Sequence, residues 1–110
     1  MDSILESVKK NLGIVDEYTH FDPDIIMHIN TVLMVLYQIG VGKKIVVEDK
    51  TTTWNDFLSN AKDLEMVKSY VYLRVKMLFD PPSSSVAIDA IKQQLQEFEW
   101  RLSVAVETPF

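Results

Sequence analysis

Apolar side chains recur three or four positions apart in several segments of the chain, which predicts amphipathic helices. The first segment begins at Ser3, which forms a capping box with Glu6, and ends at Gly13. Its apolar face consists of Ile4, Leu5, Val8 and Leu12. We expect a short helix that buries this face.

The second segment opens with FDPD, a sequence typical of a helix start. Asp22 is a good N-cap, Pro23 suits the first helical position, and Asp24 favours the positive end of the helix dipole. The helix is predicted to end at Ile39, with Gly40 as its stop. Its narrow polar stripe consists of Asp24, His28, Thr31 and Gln38. Because most other positions are apolar, we expect burial on more than one side.

The third long helix is predicted from about Asp63 to Phe79 and carries Arg74 among apolar neighbours. Arg74 follows Glu65 by nine residues, which at about 100° per residue puts it on the side opposite the polar face. An arginine in such a position most often extends its stem over apolar surface. The alternative is an ion pair with an acid on a neighbouring subunit.

A structural corner is predicted at Asp80, Pro81 and Pro82, because proline cannot continue a helix and disfavours helical geometry in the residue before it. A serine in the stretch 83–85 should cap the next helix. The heptad seam of that helix consists of Ile88, Ile91, Leu95, Phe98 and Leu102. The positions expected to face water are Asp89, Lys92, Gln93, Gln96 and Glu99. Such a seam more often packs inside a bundle, and a dimer zipper is the alternative.

Residues 41–53 depart from the helical pattern. The β-branched run IVV lies between lysines and acids, which predicts a short strand or an extended loop. Lys43, Lys44 and Val46 are candidate contact residues, because a loop in an otherwise helical chain is a natural place for a projecting contact. Thr53 is expected to cap a brief helix, WNDFLSNA.

The last residues, SVAVETPF, are predicted to form a tail outside the helical bundle. Such tails are usually frayed. The alternative is that the alternating Val104 and Val106, together with Phe110, dock as a strand on a partner. These three residues are therefore further candidate contacts.

Together these patterns predict an all-α fold. We expect a small bundle of four main helices plus a short helix, with an extended loop or short strand near residues 41–53. A chain of 110 residues fits one domain. We assign residues 1–102 to this helical domain and residues 103–110 to the C-terminal tail.

Composition and charge narrow the range of functions. Sixteen acidic residues against eleven Lys and Arg give a formal net charge of −5. The basic pairs Lys9-Lys10 and Lys43-Lys44 are too few to recognise a phosphate backbone and are expected to be solvated helix ends or turns. The absence of cysteine excludes disulfides, zinc knuckles and thiol nucleophiles. A start unlike a signal peptide, and no sufficiently long apolar run, predict a soluble cytoplasmic product without a membrane span.

The most enzyme-like group of residues is His20, Asp22, Asp24 and His28. Asp24 and His28 share a helix face, so a metal or general-base site is geometrically conceivable. Helix capping explains both aspartates more simply, and a solvated histidine is common on a polar stripe. The sequence contains no glycine-rich phosphate loop and no nucleophile motif. We predict neither an enzyme nor a metal or cofactor site.

The excess of apolar helix surface in so small a chain indicates assembly with other chains. The sequence also resembles the small head–tail connector proteins of tailed phages and prophages of Gram-positive bacteria, also called head-completion or adaptor proteins. This resemblance extends from the first helix to about Leu102. The parts that carry it are the DPDII helix start, the GVG turn, the helix at Trp54, the YVYLRVKMLFDPP corner and the EWRL motif.

The resemblance implies a structural virion protein that binds beneath the portal protein as a homo-oligomeric ring of about a dozen copies. The ring would lengthen the channel for double-stranded DNA without sequence-specific binding. It would also present a docking surface for the stopper or tail-completion protein. The protein would assemble in the bacterial host cytoplasm and reside at the head–tail interface of the virion.

For individual residues, the resemblance implies protein contacts. Arg74 becomes a candidate core or inter-subunit ion pair, and the 41–53 loop a candidate contact with portal or stopper. The Pro-Pro corner would hold its two helices at a fixed angle, and the tail would reach toward the portal. The alternative from another class is a small acidic regulatory or assembly-chaperone protein that dimerises through the seam of the last helix.

Overall fold

The computed structural model describes residues 3–59 and 63–107, which form five helices and no sheet. The helices are α1 (Ile4–Leu12), α2 (Asp22–Gln38), α3 (Trp54–Phe57), α4 (Leu64–Phe79) and α5 (Ser85–Glu107). The prediction of an all-α fold is therefore confirmed. Among the helices of these residues, none is long and apolar enough to cross a membrane.

Helix α4 lies at the centre of the bundle and packs against α1, α2 and α5, while α1 also packs against α2. The buried side chains of α4 are Val67, Tyr70, Val71 and Val75. Around them lie the buried residues Ile4, Val8, Ile25, Ile29, Leu33, Leu36, Trp54, Phe57, Leu95 and Leu102. Removal of this apolar surface from water is the main driving force for the fold.

The heptad seam of α5 packs inside the bundle, as predicted. Leu95 and Leu102 are buried, and Ile91 and Phe98 pack against the core. The centre of the seam is thus used within the chain and is not free to form a dimer zipper. Glu99, which was predicted to face water, lies beside the seam and pairs with a cation of α4 instead.

Several helix ends lie where the caps were predicted. The Ser3 Oγ accepts a hydrogen bond from the Glu6 backbone N–H at 3.2 Å, and Gly13 ends α1 in the left-handed conformation with φ +81°. At the start of α5, the Ser84 Oγ accepts from the backbone N–H of Ala87 at 3.3 Å. These local signals sufficed to place both helices.

The start of α2 differs from the prediction. Asp22 is the first residue of the helix, Phe21 occupies the N-cap position, and no side chain caps the free backbone N–H groups there. The prediction that Asp22 is the N-cap is therefore wrong. Its carboxylate pairs with buried Lys9 of α1, and this ion pair draws it away from the helix end. Pro23 lies in the first turn, where its missing N–H costs nothing.

Helix α5 extends five residues beyond its predicted end and includes residues 103–107 of the predicted tail. Val106 packs against Gly40 at the end of α2, so close that a Cβ built on Gly40 would lie 2.8 Å from Val106 Cγ1. This tertiary contact supports a helical end where the local sequence gives no helix signal. Residues 108–110 lie outside the described part of the chain.

Residues 41–53 form an extended loop that joins no sheet. An isolated antiparallel bridge links Thr53 to Ser3. The brief helix α3 is shorter than predicted, and the Thr53 N–H donates to Asp56 Oδ2 at 2.9 Å as part of the expected cap. The end of the predicted segment, residues 60–61, lies outside the described residues.

Candidate partner-binding surface

Hydrogen bonds at Lys43 and Val47 hold the first half of the 41–53 loop in place. The Val47 N–H donates to Asn30 Oδ1 at 2.8 Å, and Asn30 Nδ2 donates to the Val47 carbonyl at 3.0 Å. Earlier in the loop, the Lys43 N–H donates to the carbonyl of Phe57 at 2.8 Å. The Asn30 amide thus takes the place that a neighbouring β-strand would occupy. Neither anchor was predicted, because each joins positions far apart in the sequence.

Between these anchors, the loop presents the predicted contact residues to solvent. Lys43 and Lys44 are exposed and Val46 is 65% exposed, whereas Val47 is buried. Neither lysine makes an ion pair within the described part of the chain. We call residues 43–46 the basic loop. A rigid loop with two unpaired cations is suited to bind an acidic protein surface.

A buried lysine holds the loop between α1 and α2 in a similar way. Lys9 is 2% exposed, and its Nζ donates to the carbonyls of Asp16 at 3.0 Å and Tyr18 at 2.9 Å. The same Nζ lies 2.9 Å from Asp22 Oδ1. The prediction that Lys9 is a solvated helix end is therefore wrong. Its position four residues after Leu5, on the apolar face of α1, is the sequence signal that indicates burial.

The loop that Lys9 anchors presents acids and apolar groups to solvent. Its exposed residues are Val15, Asp16, Glu17 and Tyr18. We call residues 15–18 the acidic loop. It borders an open groove of about 1000 Å³ between α1 and the start of α4, where Glu6 and Glu65 add two further carboxylates. The cations of the groove are Lys10 and Lys68, and Lys68 lies 3.6 Å from Glu65.

Aromatic rings form a cluster beside the acidic loop. The ring of Phe21 lies 5.8 Å from Tyr18, 4.9 Å from His20 and 5.3 Å from Phe79, measured between centroids. The ring of His28 lies 6.5 Å from that of Phe79. These edge-to-face arrangements are favourable for aromatic pairs. Tyr18 and Phe21 remain 48% and 36% exposed, so the cluster is also part of the surface.

The residues considered for a metal or general-base site are not assembled into one. His20 and His28 contact aromatic rings, and Asp22 pairs with Lys9. Among residues 3–59 and 63–107, no group of three or more His, Cys, Asp or Glu side chains is arranged to hold a metal ion. The geometry therefore gives these side chains packing and anchoring roles.

Arg74 forms an ion pair within the chain. Its Nη2 lies 2.8 Å from Glu99 Oε2, its Nε donates to the Tyr70 hydroxyl at 3.0 Å, and that hydroxyl donates to the same Glu99 oxygen at 2.7 Å. Burial and the hydrogen bond to Glu99 raise the pKa of Tyr70 above its ordinary value. Burial alone would lower the pKa of Arg74, but its contacts with Tyr70 and Glu99 outweigh this effect and raise it.

The corner after α4 lies where it was predicted. Helix α4 ends at Phe79, and the Asp80 N–H donates to the Lys76 carbonyl at 2.8 Å. The Lys76 Nζ donates back to the Asp80 carbonyl at 3.2 Å. Pro81 and Pro82 follow, so the chain cannot continue as a helix before α5 begins.

The candidate contacts near the C-terminus lie on α5. Val104 and Val106 are 37% and 40% exposed, and Val106 also covers Gly40. Both residues are helical, so in this conformation they do not form a strand. Phe110 lies outside the described residues. Val106 lines a small cavity with Gly40 and Gly42, directly before the basic loop, whereas Arg74 pairs with Glu99 between α4 and α5.

The fold defines a small helical protein with rigid, charged surface loops. The chain matches the model of the phage connector protein family over residues 4–109 and belongs to that family. No curated protein and no solved structure matches it. Family membership confirms the resemblance to head–tail connectors and indicates a structural role at the head–tail interface of a phage particle.

Proposed function

We propose that this protein forms a ring beneath the portal of a tailed phage or prophage of a Gram-positive bacterium. The ring extends the DNA channel and offers a docking surface to the stopper or tail-completion protein. The observation that carries this proposal is the family match, which spans nearly the whole chain. Assembly takes place in the host cytoplasm, and the finished ring is part of the virion.

The distribution of exposed apolar side chains supports assembly with several neighbours. On α2 the exposed large apolar side chains are Met27, Met34 and Tyr37; on α5 they are Val86, Trp100, Val104 and Val106. Trp100 is 66% exposed, and tryptophan is enriched at protein interfaces. A monomer with apolar groups on two helices gains stability when other chains cover them.

The charge distribution supports a channel that lets DNA pass. Within the described part of the chain, five cationic residues form ion pairs: Lys9, Lys68, Arg74, Lys76 and Arg101. Paired cations are less available to bind phosphate groups. Together with the net charge of −5, this favours a conduit without sequence-specific DNA binding.

The proposal assigns positioning roles to two features. The corner at Asp80, Pro81 and Pro82 fixes the connection between α4 and α5, and the pair of Arg74 and Glu99 ties these helices together further along. Both features fix the orientation of α4 relative to α5, and so the relative position of their outer faces. A ring of identical copies needs such constancy, because each interface repeats the same geometry.

The test is to mix the purified chain with the portal protein from the same phage genome and image the mixture by negative-stain electron microscopy. The expected result is added ring-shaped density at one end of the portal. Bare portals at a large excess of the chain would overturn the proposal. A dimer in the unbound fraction would then favour a small regulatory or assembly-chaperone protein.

A further inference from the structure

We infer that the basic loop of one copy binds the acidic loop of the next copy around the ring. This inference rests on the proposed ring and names the contact that joins its subunits. The two loops carry opposite charge, since Lys43 and Lys44 lie in one and Asp16 and Glu17 in the other. Contact between them places complementary charges across a protein interface.

The charged groups of both loops have no partners within the described part of the chain. Five other cations are held in ion pairs, whereas the Nζ groups of Lys43 and Lys44 are not. Asp16 uses its backbone carbonyl to bind Lys9, which leaves its carboxylate exposed. The carboxylate of Glu17 is exposed as well. A second copy supplies the partners that one copy lacks.

Both loops are held in place before they meet. Lys9 fixes the acidic loop through two backbone carbonyls, and the Asn30 and Phe57 bonds fix the basic loop on either side. Little chain entropy is therefore lost when they bind. Both loops also expose a valine, Val15 and Val46, each to 65%, and these side chains can form an apolar centre between the charges.

The two loops are different surfaces of the chain. The acidic loop precedes α2, and the basic loop follows it and ends beside Asn30, in the middle of that helix. Within one copy, neither Lys43 nor Lys44 forms an ion pair with Asp16 or Glu17. A contact between two different surfaces is head-to-tail, and head-to-tail contacts generate a ring when the rotation between copies closes. The loop pair therefore provides a physical reason for a ring in place of a two-fold dimer.

The inference is tested by charge reversal and its rescue, with the cognate portal present and ring-decorated portals counted in negative-stain images. The first variant is Lys43→Glu/Lys44→Glu, and the second is Asp16→Lys/Glu17→Lys. Each should reduce decoration about tenfold or more, because like charges then face each other. The chain with all four substitutions should recover most of the decoration, since the charges are complementary again.

A matched control is Lys92→Glu/Gln93→Glu/Gln94→Glu, which changes three exposed residues of α5 and gives the same net charge as the first variant. It should decorate portals like the wild type. Wild-type decoration by either reversed variant overturns the loop contact and leaves the connector proposal intact. Loss of decoration without recovery in the four-substitution chain also overturns it, and indicates that the basic loop meets the portal instead. A wild-type chain that leaves portals bare overturns both proposals.

Discussion

The side chain of Asn30 binds both backbone groups of Val47, a residue seventeen positions further along the chain. One amide side chain thereby satisfies a donor and an acceptor that would otherwise be lost in a partly buried site. This is why residues 43–48 can be extended without joining a sheet.

Replacing Asn30 by alanine should lower the free energy of unfolding by about 1–3 kcal/mol, because both backbone groups of Val47 lose their partner. The measurement is urea denaturation followed by circular dichroism. Gln38→Ala, at an exposed position at the end of the same helix, should change stability by much less. Equal losses for the two variants would contradict the role given to Asn30.

Replacing Lys9 by methionine should destabilise the protein by about 2–4 kcal/mol. The reason is that removal of the buried amine leaves two backbone carbonyls and the Asp22 carboxylate without their partner. Methionine keeps an unbranched apolar stem in the site. The neighbouring Lys10 is exposed, and Lys10→Met should be nearly neutral. Thermal unfolding of the two variants under one set of conditions checks this difference, and similar midpoints would contradict it.

Alanine substitutions at Gly13 and Gly42, which both have positive φ, should distinguish the effects of backbone strain and of steric crowding on stability. At Gly13, with φ +81°, an added Cβ meets nothing within 4 Å, so Gly13→Ala should cost about 1 kcal/mol for the backbone conformation alone. At Gly42, with φ +77°, the added Cβ overlaps the Phe57 ring. Gly42→Ala should therefore cost a further 1–3 kcal/mol, roughly. A chemical denaturation series compares them, and equal costs would show that the ring moves aside freely.

The raised pKa of Tyr70 predicts a loss of stability at high pH. A group whose pKa is higher in the folded state contributes stability that is present below the unfolded value, here 10.0, and is lost as pH rises through the folded pKa. The variant Tyr70→Phe lacks the ionisable hydroxyl but keeps Arg74 and Glu99. Its unfolding free energy should fall less steeply than that of the wild type above pH 10.0. Urea denaturation at several alkaline pH values tests this, and parallel curves would contradict it.

Much of the helical framework follows from local sequence. Some signals act over only a few residues, so they can be recognised in the sequence alone. They are the cap at Ser3, the stop at Gly13 and the prolines after Asp80. The seam of α5 was predicted to pack internally because its period matches a bundle contact. Local caps and the period of the apolar residues were therefore enough to predict these helices.

The surface loops were only partly predictable. Lys43, Lys44 and Val46 were identified as candidate contacts from their place in a non-helical segment, and the structure places them at the surface. The acidic loop was not predicted. Its conformation depends on Lys9, and the sequence analysis expected Lys9 to be a solvated residue at a helix end. Whether these loops join neighbouring copies stays a prediction until charge reversal is tested.

The sequence by itself determined that the protein is helical, where most helices begin and end, and which family it resembles. These features depend on periodicity and on caps, whose interactions span three or four residues. Tertiary structure alone decided that Lys9 binds the carbonyls of Asp16 and Tyr18, that Asn30 binds the backbone of Val47, that Arg74 pairs with Glu99, and that α5 continues to Glu107. Each of those outcomes depends on contacts between residues distant in sequence, and such contacts have no local signature in the sequence.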